Sequence, residues 1–435
     1  MRRRFVVPVL AALVLLLVGG VVSGHRSAAP APGPPAAAAA PADPPADPLA
    51  DSIARAQNRL RTLPNDWQTW AGLASVYVEE ARVTANPMYY QKAQGAAERS
   101  LSLHPNANVD AHVALVALAN ARHDFAAARE QARAALAIDG YSADAYGVLA
   151  DAQTQLGDRT AATDAVQHML DLRPGLAAYA RASYDLELHG RNEDATALMQ
   201  RALDAATDPH GIAFCRNQLG DLAWQAGDLA GARAQYTAGL AVDPNAVALR
   251  RGLAQVDAAE GHLAAALDGY ADVTRRAPTP GYLIEYADLL HAAGRTADAT
   301  AQHSLADAAV QLFTANGGVD GLATASLDLA EGRPADAVTA ARAEYARRRH
   351  VDVADTLAWA LHAAGRDAEA LGYARQVAAT GARNASYAYH LGAIEAALGQ
   401  RDAARVDLTR ALHTNPHFSV LDAPAARQLL TGTGS

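Results

Sequence analysis

The sequence predicts an all-α solenoid built from about ten helix-turn-helix units, on the strength of two periodic signals and one set of breakers. Glycines recur at Gly157, Gly190, Gly227, Gly261, Gly294, Gly332, Gly365 and Gly399, at steps of 33, 37, 34, 33, 38, 33 and 34 residues. An alanine follows each five residues later, at Ala162, Ala195, Ala232, Ala266, Ala299, Ala337, Ala370 and Ala404. A glycine and then a small residue at that step suit two helices packed across a tight turn, repeated along a stack. Pro105, Gly140, Pro174, Pro209, Pro244, Pro278 and Pro416 stand where the second helix of each pair must stop.

Composition agrees. The 435 residues carry 51% hydrophobic but only 6% aromatic side chains, as expected for thin, closely packed helices dominated by alanine. The formal charge is −9, and no basic stripe offsets it, so nucleic acid is excluded as a partner. Arginine supplies every basic residue except Lys92, a bias read as the mark of a GC-rich bacterial genome. Cys215 is the single cysteine; no intramolecular disulfide can form, and its place beside Phe214 within a helix marks it as a small buried hydrophobe.

Arg2, Arg3 and Arg4 precede an uncharged run from Phe5 to Gly24. At about 1.5 Å per residue that run reaches roughly 30 Å as a helix. Residues 1–24 therefore read either as a membrane anchor or as an export signal cleaved near Val22-Ser23-Gly24, with the remainder outside the cytoplasm in both cases. Residues 25–47, almost entirely Ala and Pro, form a spacer. Asp47-Pro48 then caps and starts a lone leading helix to about Leu63. The solenoid is expected over 48–418 and a C-terminal tail over 419–435.

Within single units the chain shows Leu219, Gly220, Ala223, Gly227, Ala232, Tyr236, Gly239 and Pro244; Tyr146, Leu149, Ala150, Gly157, Ala162, Val166, Met169 and Pro174; and Leu391, Gly392, Gly399, Ala404, Leu408, Ala411 and Pro416. With these residues the chain resembles the tetratricopeptide repeat family over about residues 67 to 418. The resemblance implies a right-handed superhelix whose first helices line a concave groove for peptides or partner helices. Small residues at Gly220, Ala254, Ala287, Ala358 and Gly392 should mark the closest helix approaches. Departures mark three places. The first unit has a seven-residue excess with a fresh start at Asn86-Pro87, the second has His123 at the glycine step, and a long helix over His303–Asn316 precedes an irregular unit near Gly321 to Arg349. There the stack either bends or absorbs an insertion on its outer side.

Carrying the family register over, the groove would display Asp221, Trp224, Arg251, Asp288, His291, Asp352, Asp355, Trp359, His362 and Tyr389, together with Asp144, Asp151, Tyr184, Asn217 and Gln255. Acidic groups outnumber basic ones, and the Lys and Asn cluster with which some relatives clamp a C-terminal carboxylate is missing. The expected partner is a basic or neutral protein segment anchored by aromatics. No phosphate loop, HExxH, CxxC or GxSxG occurs, so no enzyme chemistry, cofactor or metal site is expected. The fifteen histidines are scattered without a helical i, i+4 ligand pair. Arg347-Arg348-Arg349 reads as helix C-terminal charge offsetting the carbonyl dipole. The reading that follows is an envelope scaffold or adaptor, with a component binding a solute or metal outside the cytoplasm as the alternative.

Overall fold

The computed structural model describes residues 48–432; the expected leader, 1–24, and spacer, 25–47, lie outside them. Among the described residues there are helices and no strands. A leading helix α1 (Pro48–Thr62) is followed by ten hairpins. The first five are α2 (Trp67–Thr84) with α3 (Tyr89–Leu103), α4 (Val109–Ala121) with α5 (Phe125–Ile138), α6 (Ala143–Leu156) with α7 (Arg159–Leu172), α8 (Leu176–Leu188) with α9 (Asn192–Ala205), and α10 (Pro209–Gln225) with α11 (Leu229–Val242). The remainder are α12 (Val247–Ala259) with α13 (Leu263–Arg276), α14 (Pro280–Ala292) with α15 (Thr296–Ala315), α16 (Gly321–Ala330) with α17 (Pro334–Arg347), α18 (Val351–Ala363) with α19 (Asp367–Ala378), and α20 (Ala385–Ala397) with α21 (Arg401–Thr414). Each helix packs on its hairpin partner and on the next hairpin, giving the predicted α-solenoid.

All eight glycines of the register have positive φ, between 70° and 82°, where glycine ends the first helix without a Cβ penalty. In the second hairpin His123 takes the same turn at φ 60°. The eight partnering alanines are all buried at the hairpin crossings. Where aspartate follows the glycine it caps the next helix: Asp158 Oδ1 accepts from the Ala161 amide at 3.2 Å, and Asp228 Oδ1 from Gly231 at 2.9 Å. Pro209 departs from its expected role. It is the first residue of α10 and does not end α9, because a proline at that position forfeits an amide that has no intrahelical partner anyway.

Tyr236 of α11 inserts its ring between α10 and α12, and a Cβ built on Gly220 or Gly252 would overlap that ring. The phenol is fixed by donation to Asp221 Oδ1 at 2.7 Å. The small residue thus admits a large ring from the second helix, which is how an alanine-rich stack still buries aromatic volume.

The superhelix closes on itself. The turn inside one hairpin rests on the loop leaving the hairpin five units further along, and this happens four times in succession. The His123 turn meets the loop after α15, where the Val319 amide donates to Arg122 O at 3.2 Å. The Gly157 turn meets the loop after α17 so closely that a Cβ would stand 2.5 Å from Arg349 O. Gly190 lies against Gly381, and Arg159 Nη2 donates both to Leu188 O at 3.1 Å and to Thr380 O at 3.0 Å. Finally Asn415 Nδ2 donates to Trp224 O at 2.7 Å within a buried contact.

Three expectations are corrected by this closure. The long helix, α15, runs 20 residues, and its end reaches the first hairpins: Phe313 meets the rings of Tyr90 at 6.1 Å and His123 at 5.2 Å. The extra length is therefore a brace between superhelical turns and not an insertion on the outer side. The Arg347–Arg349 run is likewise a seam. Arg348, 1% exposed at its side chain, pairs with equally buried Glu344, donates to Gln155 and lies 5.3 Å over the Phe125 ring. The stretch expected as a tail carries, among its described residues, a twenty-second helix, α22 (Asp422–Gly432), whose Ala426 joins the core of α16–α21.

Gly220→Leu should destabilise the chain by about 1–3 kcal/mol through overpacking against Tyr236; an unchanged thermal midpoint by circular dichroism would contradict the packing. Arg348→Met leaves Glu344 buried with Arg347 alone, at 2.6 Å, and should cost roughly 3 kcal/mol. It should also raise the radius of gyration in X-ray scattering as the turns part, and Glu344→Gln in the same chain should return part of the loss.

Candidate functional site

Closure leaves, in place of the expected long groove, a half-open chamber of about 220 Å³. Its wall comes mainly from the first helices of consecutive hairpins: Tyr184 and Glu187 of α8, Gln218, Asp221 and Trp224 of α10, Arg251 and Gln255 of α12, Asp288 of α14, and Asp352 of α18. Glu285 of α14, Tyr270 of α13, Asn384 and Tyr387 at the start of α20, and Asn415, Phe418 and Val420 of the loop after α21 add to it. Consecutive first helices place residues about 34 apart side by side, so Arg251 faces Glu285 with bidentate contacts of 2.7 and 2.6 Å. Arg251 also lies 3.8 Å from Asp221, which accepts from Asn217 at 2.8 Å. Tyr270 donates to Glu285 at 3.2 Å. Across the chamber Tyr387 donates to Asp352, His350 Nδ1 stands 3.3 Å from the same carboxylate, and His350 Nε2 is 3.3 Å from Tyr184 Oη.

Of the ten residues assigned to the groove from sequence, Asp221, Trp224, Arg251, Asp288 and Asp352 come together on this wall. Four do not. Trp359 is 2% exposed and stacks on His390 at 4.1 Å, His362 at 4.9 Å and Tyr389 at 5.4 Å. Asp355 is buried against His390 at 2.8 Å, His362 is held by Asp367, and Tyr389 packs on Phe418 at 5.6 Å. α22 packs on α20, and the two share one core cluster with α18, so positions assigned to a groove become core here. His291, in the last turn of α14, is partly exposed and away from the chamber wall. Asp144 pairs with Arg173, and Asp151 with buried Arg181 at 2.8 Å.

Glu187, Gln218, Tyr270, Glu285 and Tyr387 were not assigned from sequence. Glu285 stands 34 residues after Arg251 and Gln218 stands 34 after Tyr184, so the repeat step itself held the signal. Tyr270 lies on a second helix, outside the rule applied.

The chamber is acidic: five carboxylates, Glu187, Asp221, Glu285, Asp288 and Asp352, face one guanidinium, Arg251. Burial pushes Glu187 up to about 7, reinforced by Asp221 and Asp352 and opposed by the Gln225 hydrogen bond at 2.8 Å. Burial, with Asp422 and Glu285 adding to it, pushes Asp288 well above the usual carboxylate range. Asp352 is also desolvated by burial, yet His350 and Tyr387 hold it below its ordinary value. Burial raises Asp422, beside the chamber, to about 7, and raises the Cys215 thiol to about 12, consistent with a buried, unreactive side chain.

Among the described residues one group has metal-ligand proximity: Asp257, Glu260 and His262, with ligand atoms within 4.8 Å of one another. Arg233 Nη2 already bridges its two carboxylates at 2.6 and 2.7 Å, so a cation is built into the cluster. No described helix is long and apolar enough to cross a membrane.

No family model and no curated protein matches the chain. Among solved structures it is similar to a thermophilic TPR protein of Thermus thermophilus, at 22% identity and a TM-score of 0.35, covering 37% of this chain and 87% of that one. A tetratricopeptide repeat protein of Parabacteroides merdae is 17% identical with a TM-score of 0.36, covering 60% of this chain and 99% of that one. Yeast Tom70 is 13% identical with a TM-score of 0.40, covering 81% and 86% respectively.

Glu187 and Asp422 bind their protons more tightly folded than unfolded. Their contribution to stability is therefore complete below the ordinary carboxylate pKa and is lost as pH rises through about 7. The thermal midpoint should fall between about pH 5 and about pH 8, conditions that bracket that range. Glu187→Gln with Asp422→Asn should flatten the slope, and a slope unchanged in that double variant would remove these groups as its source.

Proposed function

We propose that this chain is a non-catalytic binding scaffold whose recognition element is the interior of the superhelix, and that the interior takes a cationic segment of a protein partner. The single observation that carries the reading is the convergence of five carboxylates and one arginine on a shared chamber wall. Like charges so placed cost folding free energy, and a cationic guest offsets that cost. Trp224, Tyr184 and Tyr387 supply faces for a cation and for the stem that bears it. The protein acts outside the cytoplasm on this reading, carried there by residues 1–24 as anchor or cleaved signal, with 25–47 as the spacer. Metal binding is not favoured, because Arg233 holds the one candidate ligand cluster among the described residues.

Fluorescence anisotropy with labelled peptides of equal length, rich in lysine, arginine, glutamate or serine, tests the proposal. Basic peptides should bind and weaken as salt rises. Glu187→Gln with Asp288→Asn should weaken them by about tenfold, the equivalent of about 1.4 kcal/mol. Equal binding of acidic and basic peptides would overturn it.

A further inference from the structure

The chamber wall contains acceptors that the protein leaves without donors. Gln218 is 8% exposed, lines the chamber, and its carboxamide has no hydrogen-bond partner among the described residues. Gln255 Oε1 is inaccessible and unpaired. Asp288 has neither an ion pair nor a hydrogen bond among the described residues, and Glu187 is met only by the Gln225 amide. Of these, only Gln255 Oε1 is a fully buried unpaired atom, a state that buried polar groups normally avoid; Gln218, Asp288 and Glu187 face the chamber, and the four groups come from four helices, α8, α10, α12 and α14.

Arg251 shows what the chamber does with a planar guanidinium: it takes both oxygens of one carboxylate, Glu285. The remaining acceptors are dispersed one to a helix, an arrangement suited to a compact ammonium with three rotatable donors rather than to a fixed fork. A volume of about 220 Å³ falls below the roughly 300–1,000 Å³ usual for drug-sized ligands, which suits a narrow group better than a bulky one. Leu289, Phe418 and Val420 give the wall apolar stretches for its methylenes.

We infer that the chamber is a binding site for alkylammonium groups on a flexible methylene chain, supplied either by a free linear polyamine or by lysine side chains of a partner segment. This rests on the cationic-guest reading and sharpens it to one cation chemistry. Asp288 and Glu187 are held back from ionising by burial, by Asp422 and Glu285 at Asp288, and by Asp221 and Asp352 at Glu187, where the Gln225 hydrogen bond opposes the shift. An incoming ammonium therefore displaces protons.

Titration calorimetry on the full chain, in two buffers of different ionisation enthalpy, tests this with spermidine, a dilysine peptide and the matching diarginine peptide. One spermidine or one dilysine peptide should bind per chain with proton release. Asp288→Asn should weaken that binding at least tenfold and Gln218→Leu at least threefold, with thermal melts confirming that both variants fold. Spermidine binding without dilysine binding assigns a free solute; dilysine binding that spermidine displaces assigns a partner's lysines. Diarginine binding as tightly as dilysine would overturn the alkylammonium assignment while leaving the cationic interior standing. No binding by any of the three, or binding unaffected by Asp288→Asn in a folded protein, would overturn both.

Discussion

The structure depends on one constraint: neighbouring superhelical turns touch, and they touch through backbone. A hairpin turn ending in glycine presents no side chain, so Gly157 and Gly190 can lie directly against the loops at Arg349 and Gly381. Any L side chain at those turns would both strain the positive φ and hold the turns apart. With contact allowed, polar groups lock it, through Arg159 to Thr380 O, Arg348 to Gln155 and Asn415 to Trp224 O. Repeat stacks are ordinarily held by nearest neighbours alone. This one adds a second set of contacts five units away, and a groove becomes a room.

The hairpins were legible in the sequence because their determinants are local. Gly227, Asp228 and Ala232 specify a left-handed turn, a cap and a close crossing within six residues, and the structure has all three. The leading helix and the buried cysteine followed from equally short patterns. The closure was not legible. It arises from small rotations summed over five hairpins, and nothing near Arg348 announces that Gln155 will stand opposite. The same blindness explains the reading of Trp359 and Tyr389 as groove residues: Phe418, which meets Tyr389, and α22, which joins their core cluster, lay at or beyond the expected end of the solenoid. The acidic character of the interior was visible in Asp221, Asp288 and Asp352. Glu285 lay one repeat step from Arg251 and required only that the step be applied to pairs.

Stability and recognition pull apart in this interior. The core clusters are apolar and mostly small, with Trp224, Tyr236, Trp359 and Tyr389 as large members, and they carry the fold. The chamber instead gathers carboxylates that burial and mutual repulsion keep from ionising freely. A protein that needed only to be stable would place leucine at Asp288, between Ala287 and Leu289 on a helix otherwise well packed. The polar wall is continuous along α8, α10, α12 and α14, which makes it a feature of the repeat array as a whole.

The seam at Asn415 and Trp224 joins the end of the last hairpin to the middle of the array, and so shuts one side of the room with the chain's own terminus. The coil and the chamber are therefore mechanically linked: a substitution that loosens or tightens the spring at this latch would shift the walls of the room without altering any residue that lines it elsewhere.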